Sequence, residues 1–563
     1  MQPVLRTVRH QCMEVLFVNT LPERSNLDHL RKQAKDLLRA YRHGEDAAFD
    51  RLRAALPAAH DKNNAALTAL QLRLHDAQSC IAREYGFASW SALKDQVELR
   101  RARALDGNAR QLHWLGLVYG GDVAGGPGRP KPQLAGQLLE DQPELVNDPL
   151  LACAIGDIEV VRREIERDAA WVNRVGGPLK IPPVIAVSHS SLVKLDRYRD
   201  RLQWCLQLLL DRGADPNQAF QNRWAPHSLQ QPGDEKLTAI YGAAGKVHDI
   251  EMTRMLLAAG ADANDNESLY HSIDDPDTDL PCTRLLLEAG TRVAGSNALA
   301  RILDFDNLAG LKMLLAHTRH GDPDLGRILH WAIYRGRSAA HVRALLDAGA
   351  DPHSLDAHRQ TASQHAATVG LPEVMRMLQE GGTGEPLTDA EKFVAACARV
   401  DEREARRLLA ANPGLLASLT AGQLKLLPNL ASSGRDAAVR LMVALGWPIA
   451  VRGGDIDGSA LNWAVFRGRP ELTEFLLQHG ASFRERHGYN SDVLGTLSWA
   501  SLNEPRGDGE WPRCAAALLA HGLPGITPAP GADTGTSTRR LLIDDRAFTF
   551  PEDVAEVLLG HES

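Results

Sequence analysis

A two-residue apolar step, set in an amphipathic stretch and followed by a glycine-containing turn, recurs at ten places along this chain, and that repetition limits the fold more than any other feature. The steps are Leu209-Leu210, Leu256-Leu257, Leu286-Leu287, Leu314-Leu315, Leu345-Leu346, Met377-Leu378, Leu408-Leu409, Met442-Val443, Leu476-Leu477 and Leu518-Leu519. Most neighbours stand about 28 to 34 residues apart, the length of one helix pair and its turn. A unit of that size cannot bury its apolar face alone, so units stack and the core grows along one axis. Length asks for the same answer, because 563 residues exceed what one compact core accommodates. Apolar residues make up 44% of the chain but aromatics only 5%, so Leu, Ala and Val do most of the burying, as close helix packing favours.

Three copies show the chemistry of the unit: Leu208 to Asn217, Met255 to Asn264 and Ala344 to His353. In each, a glycine (Gly213, Gly260, Gly349) follows the last helical turn and supplies a left-handed cap. An aspartate then shapes the outgoing turn through side-chain to backbone hydrogen bonds. These segments resemble the "LLxxGADxN" signature of the ankyrin family, and Leu329-His330-Trp331-Ala332 and Leu461-Asn462-Trp463-Ala464 resemble its "LHxA" first helix. The resemblance covers roughly 148 to 522 and implies an all-α, curved solenoid of about eleven helix pairs.

The remaining sequence divides around that array. Residues 1–25 read as a disordered tail. Leu27, Leu30, Ala34, Leu37, Leu38 and Tyr41 fall at helical spacing and open an N-terminal helical module over 26–118. Its segments Asn26 to Lys35 and Ile81 to Trp90 resemble the module that precedes the repeats in long bacterial ankyrin proteins. The Gly- and Pro-rich stretch 119–133 is expected to be a flexible linker, with the array over 134–522. Within the array, Gln218 to Glu235 and Phe483 to Pro512 read as long insertions, and one unit near Ala243 to Asp249 carries an extra residue. Residues 523–563 read as a second linker and a capping helix, Phe550 to Leu559, that covers the open end.

Charge and cysteine usage narrow the function. A net charge of −8 gives no field to gather phosphates, so nucleic acid is not the expected partner. The seven cysteines are scattered singly, with no CxxC, and read as buried free thiols in a reducing, cytoplasmic setting. No stretch reaches the ~18 apolar residues of a membrane helix. Ser191-Leu192-Val193-Lys194 matches S-x-x-K without its companion motifs, and Asp275, Asp277 and Asp279 open like a calcium loop but meet Leu280 and Leu286 where Gly and Glu belong. Neither supports catalysis, and no cofactor or metal is expected.

The expected function is therefore a monomeric scaffold that binds a protein on its concave face. In the ankyrin pattern, residues just before the loop glycine of the first helix face that surface, which singles out Tyr334, Arg335, Phe466 and Arg467 as partner-binding anchors in two separate units. Trp331 and Trp463 are expected between units, in the core. The alternative is a small-ligand receptor or hydrolase-like enzyme at the C-terminal insertion, 483–512, where His487, Tyr489 and Asn490 offer donors, acceptors and a group titrating near neutrality. Arg486 and Asp492 in the same stretch read as braces.

Overall fold

The computed structural model describes residues 20–22, 26–70, 72, 74–125, 129–223, 235–382, 387–503, 509–529 and 538–560. The chain forms two compact units, the first from residues up to Val118 together with Lys131–Val146, the second from Tyr119–Pro130 and everything from Asn147 onward.

The first unit is helical. Leu30, Ala34, Leu37, Leu38 and Tyr41 make one buried face of the helix Leu27–Arg42, which packs with Phe49 and Leu52 of Asp46–Ala55 and Cys80 and Ile81 of Leu74–Glu84. Tyr41 and Phe49 meet edge to face at 5.6 Å, and the Tyr41 hydroxyl donates to the Leu67 carbonyl at 2.6 Å, so the ring is buried with its polar end satisfied. The expected tail, 1–25, lies almost wholly outside the described residues; of it, Leu21 packs on this core. The array does not begin at 134. Helix Pro132–Asp141 belongs to the first unit, because Leu134, Ala135 and Leu138 are buried there and the Trp114 indole N–H donates to the Ala135 carbonyl at 3.1 Å.

The second unit is a run of antiparallel helix pairs, from Pro149–Ile155 with Ile158–Arg167 to Val493–Asn503 with Trp511–Ala520. First helices stack mainly on first helices and second on second, giving two layers. Gly213, Gly260 and Gly349 end their helices at φ 85°, 91° and 93°, a conformation that a Cβ would strain. The Asp-x-Asn turns then join one pair to the next. Asn217 takes its own backbone N–H to Asp215 Oδ1 at 2.9 Å, accepts from the Asp262 N–H at 2.7 Å and donates to the Gly260 carbonyl at 3.1 Å. Asn173 does the same to Asp215 and Gly213, and Asn264 accepts from Arg292 N–H at 2.9 Å. The motif is thus a ladder in which each unit's asparagine satisfies backbone groups of its successor.

The extra residue near Ala243 is absorbed as a π-helical turn, Tyr241–Lys246, with Val247 N–H reaching back to the Gly242 carbonyl at 3.0 Å. Three further expectations change. Residues 119–125 are built in rather than flexible: Tyr119 and Val123 are fully buried and Gly121–Ala124 is one helical turn. Phe483 to Pro512 is not one long insertion, since after a tight turn Val493–Asn503 buries Val493, Leu494, Leu497 and Ala500 as the first helix of the last pair. At the C-terminus, Phe550 lies in a strand. Three antiparallel strands, Ile526–Pro528, Thr538–Ile543 and Arg546–Pro551, precede the helix Glu552–Leu559, which packs on Trp511–Ala520.

Candidate inner-face site

The ends of the first helices carry half-buried charged and aromatic side chains in register from pair to pair. His271, at the end of helix Ser268–Ser272, lies 3.3 Å from Glu267 and 3.5 Å from Asp274. Burial opposes its charge, but the two carboxylates prevail and raise its pKa to about 9. Arg301 of the next pair holds Asp274 at 2.7 Å and Asp304 at 3.1 Å. Arg335, one pair further, reaches Asp304 at 2.9 Å and Asp455 at 2.7 Å. The result is a ladder of alternating sign: Glu267, His271, Asp274, Arg301, Asp304, Arg335, Asp455.

Aromatic rings fill the spaces between these charges. The Arg301 guanidinium sits 5.3 Å from the Tyr270 ring and 5.0 Å from the Phe305 ring, while Arg335 lies 4.4 Å from Trp331 and 5.5 Å from Tyr334. Such cation–π contacts fix long side chains that would otherwise be mobile. Asp455 belongs to the short hairpin Arg452–Gly453 with Gly458–Ser459, several pairs beyond Arg335. Arg335 and Asp455 stand 120 residues apart, so the strip gathers side chains from pairs that are distant in sequence.

The four expected anchors all occur in this region, and they are joined rather than separate. Tyr334 is half-buried beside Ser432 and Arg467, and burial raises its hydroxyl pKa to about 12. Arg467 donates from Nε to the Ser432 carbonyl at 3.0 Å, and Phe466 stacks on Trp499 at 5.5 Å with the rings 16° from parallel. Trp463 is buried as expected, donating to the Gly453 carbonyl at 2.9 Å against Gly454, where a Cβ would strike its ring. Trp331 is only half-buried and belongs to the strip. Sequence reasoning gave Tyr270, Arg301 and Phe305 no anchoring role and read Trp499 only as an apolar wall of the C-terminal insertion; Arg301 and Phe305 stand about one period before Arg335 and Tyr270 about two, a spacing that could have found them.

The turn 484–492 brings His487, Tyr489 and Asn490 close together. His487 is buried, Nδ1 accepts from the Tyr489 N–H at 3.2 Å, and burial lowers its pKa despite Asp492 nearby. Tyr489 is 63% exposed, and Asn490, at φ 60°, accepts from Arg486 at 3.0 Å. Asp492 is buried and paired with Arg546 of the C-terminal sheet.

Among the described residues, one side-chain group has metal-ligand composition: His330, His365 and Asp356, with ligand atoms within 4.8 Å of one another. The two Nδ1 atoms are 3.1 Å apart, the ring centres 5.4 Å, and the planes differ by 21°. The nitrogens therefore lie on the line of centres and point at each other, whereas ligands of one tetrahedral ion stand side by side and aim at a common third point. His330 Nε2–H donates to the Ser354 carbonyl at 2.9 Å, which leaves its Nδ1 as acceptor for the Nδ1–H of His365. This arrangement shares a proton. Burial, and then His330, hold the His365 pKa well below its ordinary value.

No protein family and no curated relative matches the chain. Among solved structures, it is similar to the human ASB11 ankyrin repeat domain at 22% identity and a TM-score of 0.20, over 40% of this chain and 98% of that one. The second unit is ankyrin-like. That reading rests on its stacked helix pairs and asparagine ladder. No described helix is long and apolar enough to cross a membrane.

Proposed function

We propose that the chain is a protein-binding scaffold whose anchors are the arginine and aromatic side chains of the inner face. The observation that carries this is the strip itself: half-buried Tyr270, Arg301, Trp331, Tyr334, Arg335 and Phe466 and exposed Phe305, held by ion pairs and ring contacts. Tyr, Trp and Arg dominate the energetics of protein interfaces, and side chains already fixed lose less entropy on binding. Tyr334, Arg335, Phe466 and Arg467 keep the anchoring role the sequence suggests, with Phe305, 40% exposed, as the most accessible ring among them. The protein acts as a monomer in the cytoplasm, a setting that suits the six buried free cysteines among the described residues. The C-terminal strands and helix shield the last pair.

Affinity purification from the native cell, comparing the parent with Phe305→Ala/Trp331→Ala, tests the reading. The double variant should lose a specific set of interactors while its melting curve stays close to the parent's. Unchanged capture, or the same loss on Tyr489→Ala alone, refutes the inner-face assignment.

A further inference from the structure

The inner face of the earliest pairs is already occupied, and the occupant is a segment of this chain. Tyr119-Gly120-Gly121-Asp122-Val123-Ala124-Gly125 is tied to helix Pro183–Ser188, to Lys246 at the end of the turn Tyr241–Lys246 and to Arg223, two residues past the strand Ala219–Gln221. Tyr119 is 1% exposed and its hydroxyl donates to the Ala186 carbonyl at 2.7 Å. Asp122 pairs with Lys246, and both side chains are largely buried. Arg223, just past the first strand, donates its backbone N–H to the Asp122 carbonyl at 2.8 Å and Nη1 to the Val123 carbonyl at 2.9 Å. The elements that carry these partners also pack on one another. His189 packs edge-on to Phe220 at 5.3 Å, and Gly242 leaves room for the His189 ring, since a Cβ there would come within 2.3 Å of it.

Two features separate this segment from ordinary core. It is held largely by directional contacts: one hydroxyl, one carboxylate and two backbone carbonyls, each with a named partner on the array. It is also bounded by glycines in the left-handed region, Gly120 at φ 74° and Gly125 at φ 84°, where the backbone can leave its path at little steric cost. Asp122 and Lys246 further select the occupant by charge, because a buried ammonium left without its carboxylate is costly.

We propose that this part of the inner face is a receptor groove for a protein segment that presents a tyrosine and, three residues later, an aspartate, and that Tyr119–Gly125 is a built-in occupant which such a segment replaces. The proposal rests on the scaffold reading and names the partner's chemistry. The Ala186 carbonyl and Arg223 fix the direction of the entering backbone, Lys246 takes the acid, and the apolar contacts of Tyr119 and Val123 set the depth.

The probe is a fluorescent peptide of sequence Tyr-Gly-Gly-Asp-Val-Ala-Gly, followed by anisotropy with the full chain. It should bind Tyr119→Ala/Asp122→Ala at least about tenfold more tightly than the parent, and adding Lys246→Met should remove that gain. Equal affinity for parent and double variant overturns the proposal, as does absence of binding to a double variant that still melts cooperatively. Should that variant fail to fold, hydrogen exchange of the parent decides: the amides of 120–125 should exchange at least about tenfold faster than those of Pro183–Ser188, and equal protection overturns the replacement step. The two readings fail differently. If capture of interactors depends on Phe305 and Trp331 while the peptide binds nothing, the groove falls and the scaffold stands; if capture ignores the strip, the scaffold reading falls whatever the peptide does.

Discussion

Replacing Lys246 by methionine isolates what the buried ion pair contributes. The Lys246 and Asp122 side chains retain only 10% and 19% of their accessible surface, so the pair has left water and each charge depends on the other. Removing one partner of a buried pair costs about 3–5 kcal/mol, chiefly because the remaining charge stays uncompensated. Asp122 keeps a hydrogen bond from the Val123 N–H at 3.1 Å and some contact with solvent, which places Lys246→Met near the lower end, about 3 kcal/mol. Adding Asp122→Leu removes the orphaned carboxylate and should restore most of that loss, a coupling of about 2 kcal/mol or more. A long array does not unfold as one two-state body, so the measurement is native-state hydrogen exchange at 120–125, 183–188 and 241–246. Lys246→Met should accelerate exchange there on the order of 100-fold and the double variant far less. Additive losses would refute the reasoning, because they would mean that neither charge is felt by the other.

Leu345 is fully buried and Leu346 only half-buried, so Leu345→Ala should cost about 2–5 kcal/mol and Leu346→Ala clearly less, with lost exchange protection centred on the pairs between 325 and 380; uniform loss along the second unit would contradict nearest-neighbour stacking. His189, His365 and His487 have pKa values lowered by burial, so their stabilising contribution is complete above the unfolded histidine value of about 6.5 and is lost as pH falls below it. Melting temperature should therefore drop from pH 7 to pH 5, and His365→Asn should flatten part of that slope. His271 has the opposite sign: raised to about 9, its contribution is complete below about 6.5 and disappears as pH climbs through 9, so His271→Gln should remove an alkaline loss of stability visible in parent melts.

The array was legible where one residue type does one repeated job. Asn217 and Asn264 announce the unit because each satisfies backbone groups of the unit after it, a constraint that returns with every period. The first helix of the last pair, Val493–Asn503, escaped although its Leu497-Ser498-Trp499-Ala500 repeats the Leu-x-Trp-Ala of the other first helices, because no glycine closes it four residues after Ala500. The C-terminal strands were hidden for another reason. Thr538–Ile543 and Arg546–Pro551 are joined by Asp544-Asp545, both with positive φ, a tight turn that a helix-centred reading does not look for.

The site was legible by position and not by connection. A period of about thirty residues places Arg335 and Arg467 at first-helix ends, but nothing local tells that Arg335 clasps Asp455 or that Tyr334 comes to rest beside Arg467, because those contacts depend on how the stack curves. The segment 119–125 shows the same limit more sharply. Three glycines among seven residues from Tyr119 lower the barrier to many conformations, and from composition that reads as a linker. The same freedom lets the backbone follow an inner face where a bulkier chain would collide, and Tyr119, Asp122 and Val123, spaced along it, find a carbonyl, an ammonium and an apolar floor. Glycine content reports what a segment is able to do; the side chains between the glycines, and the surface they meet, decide what it does.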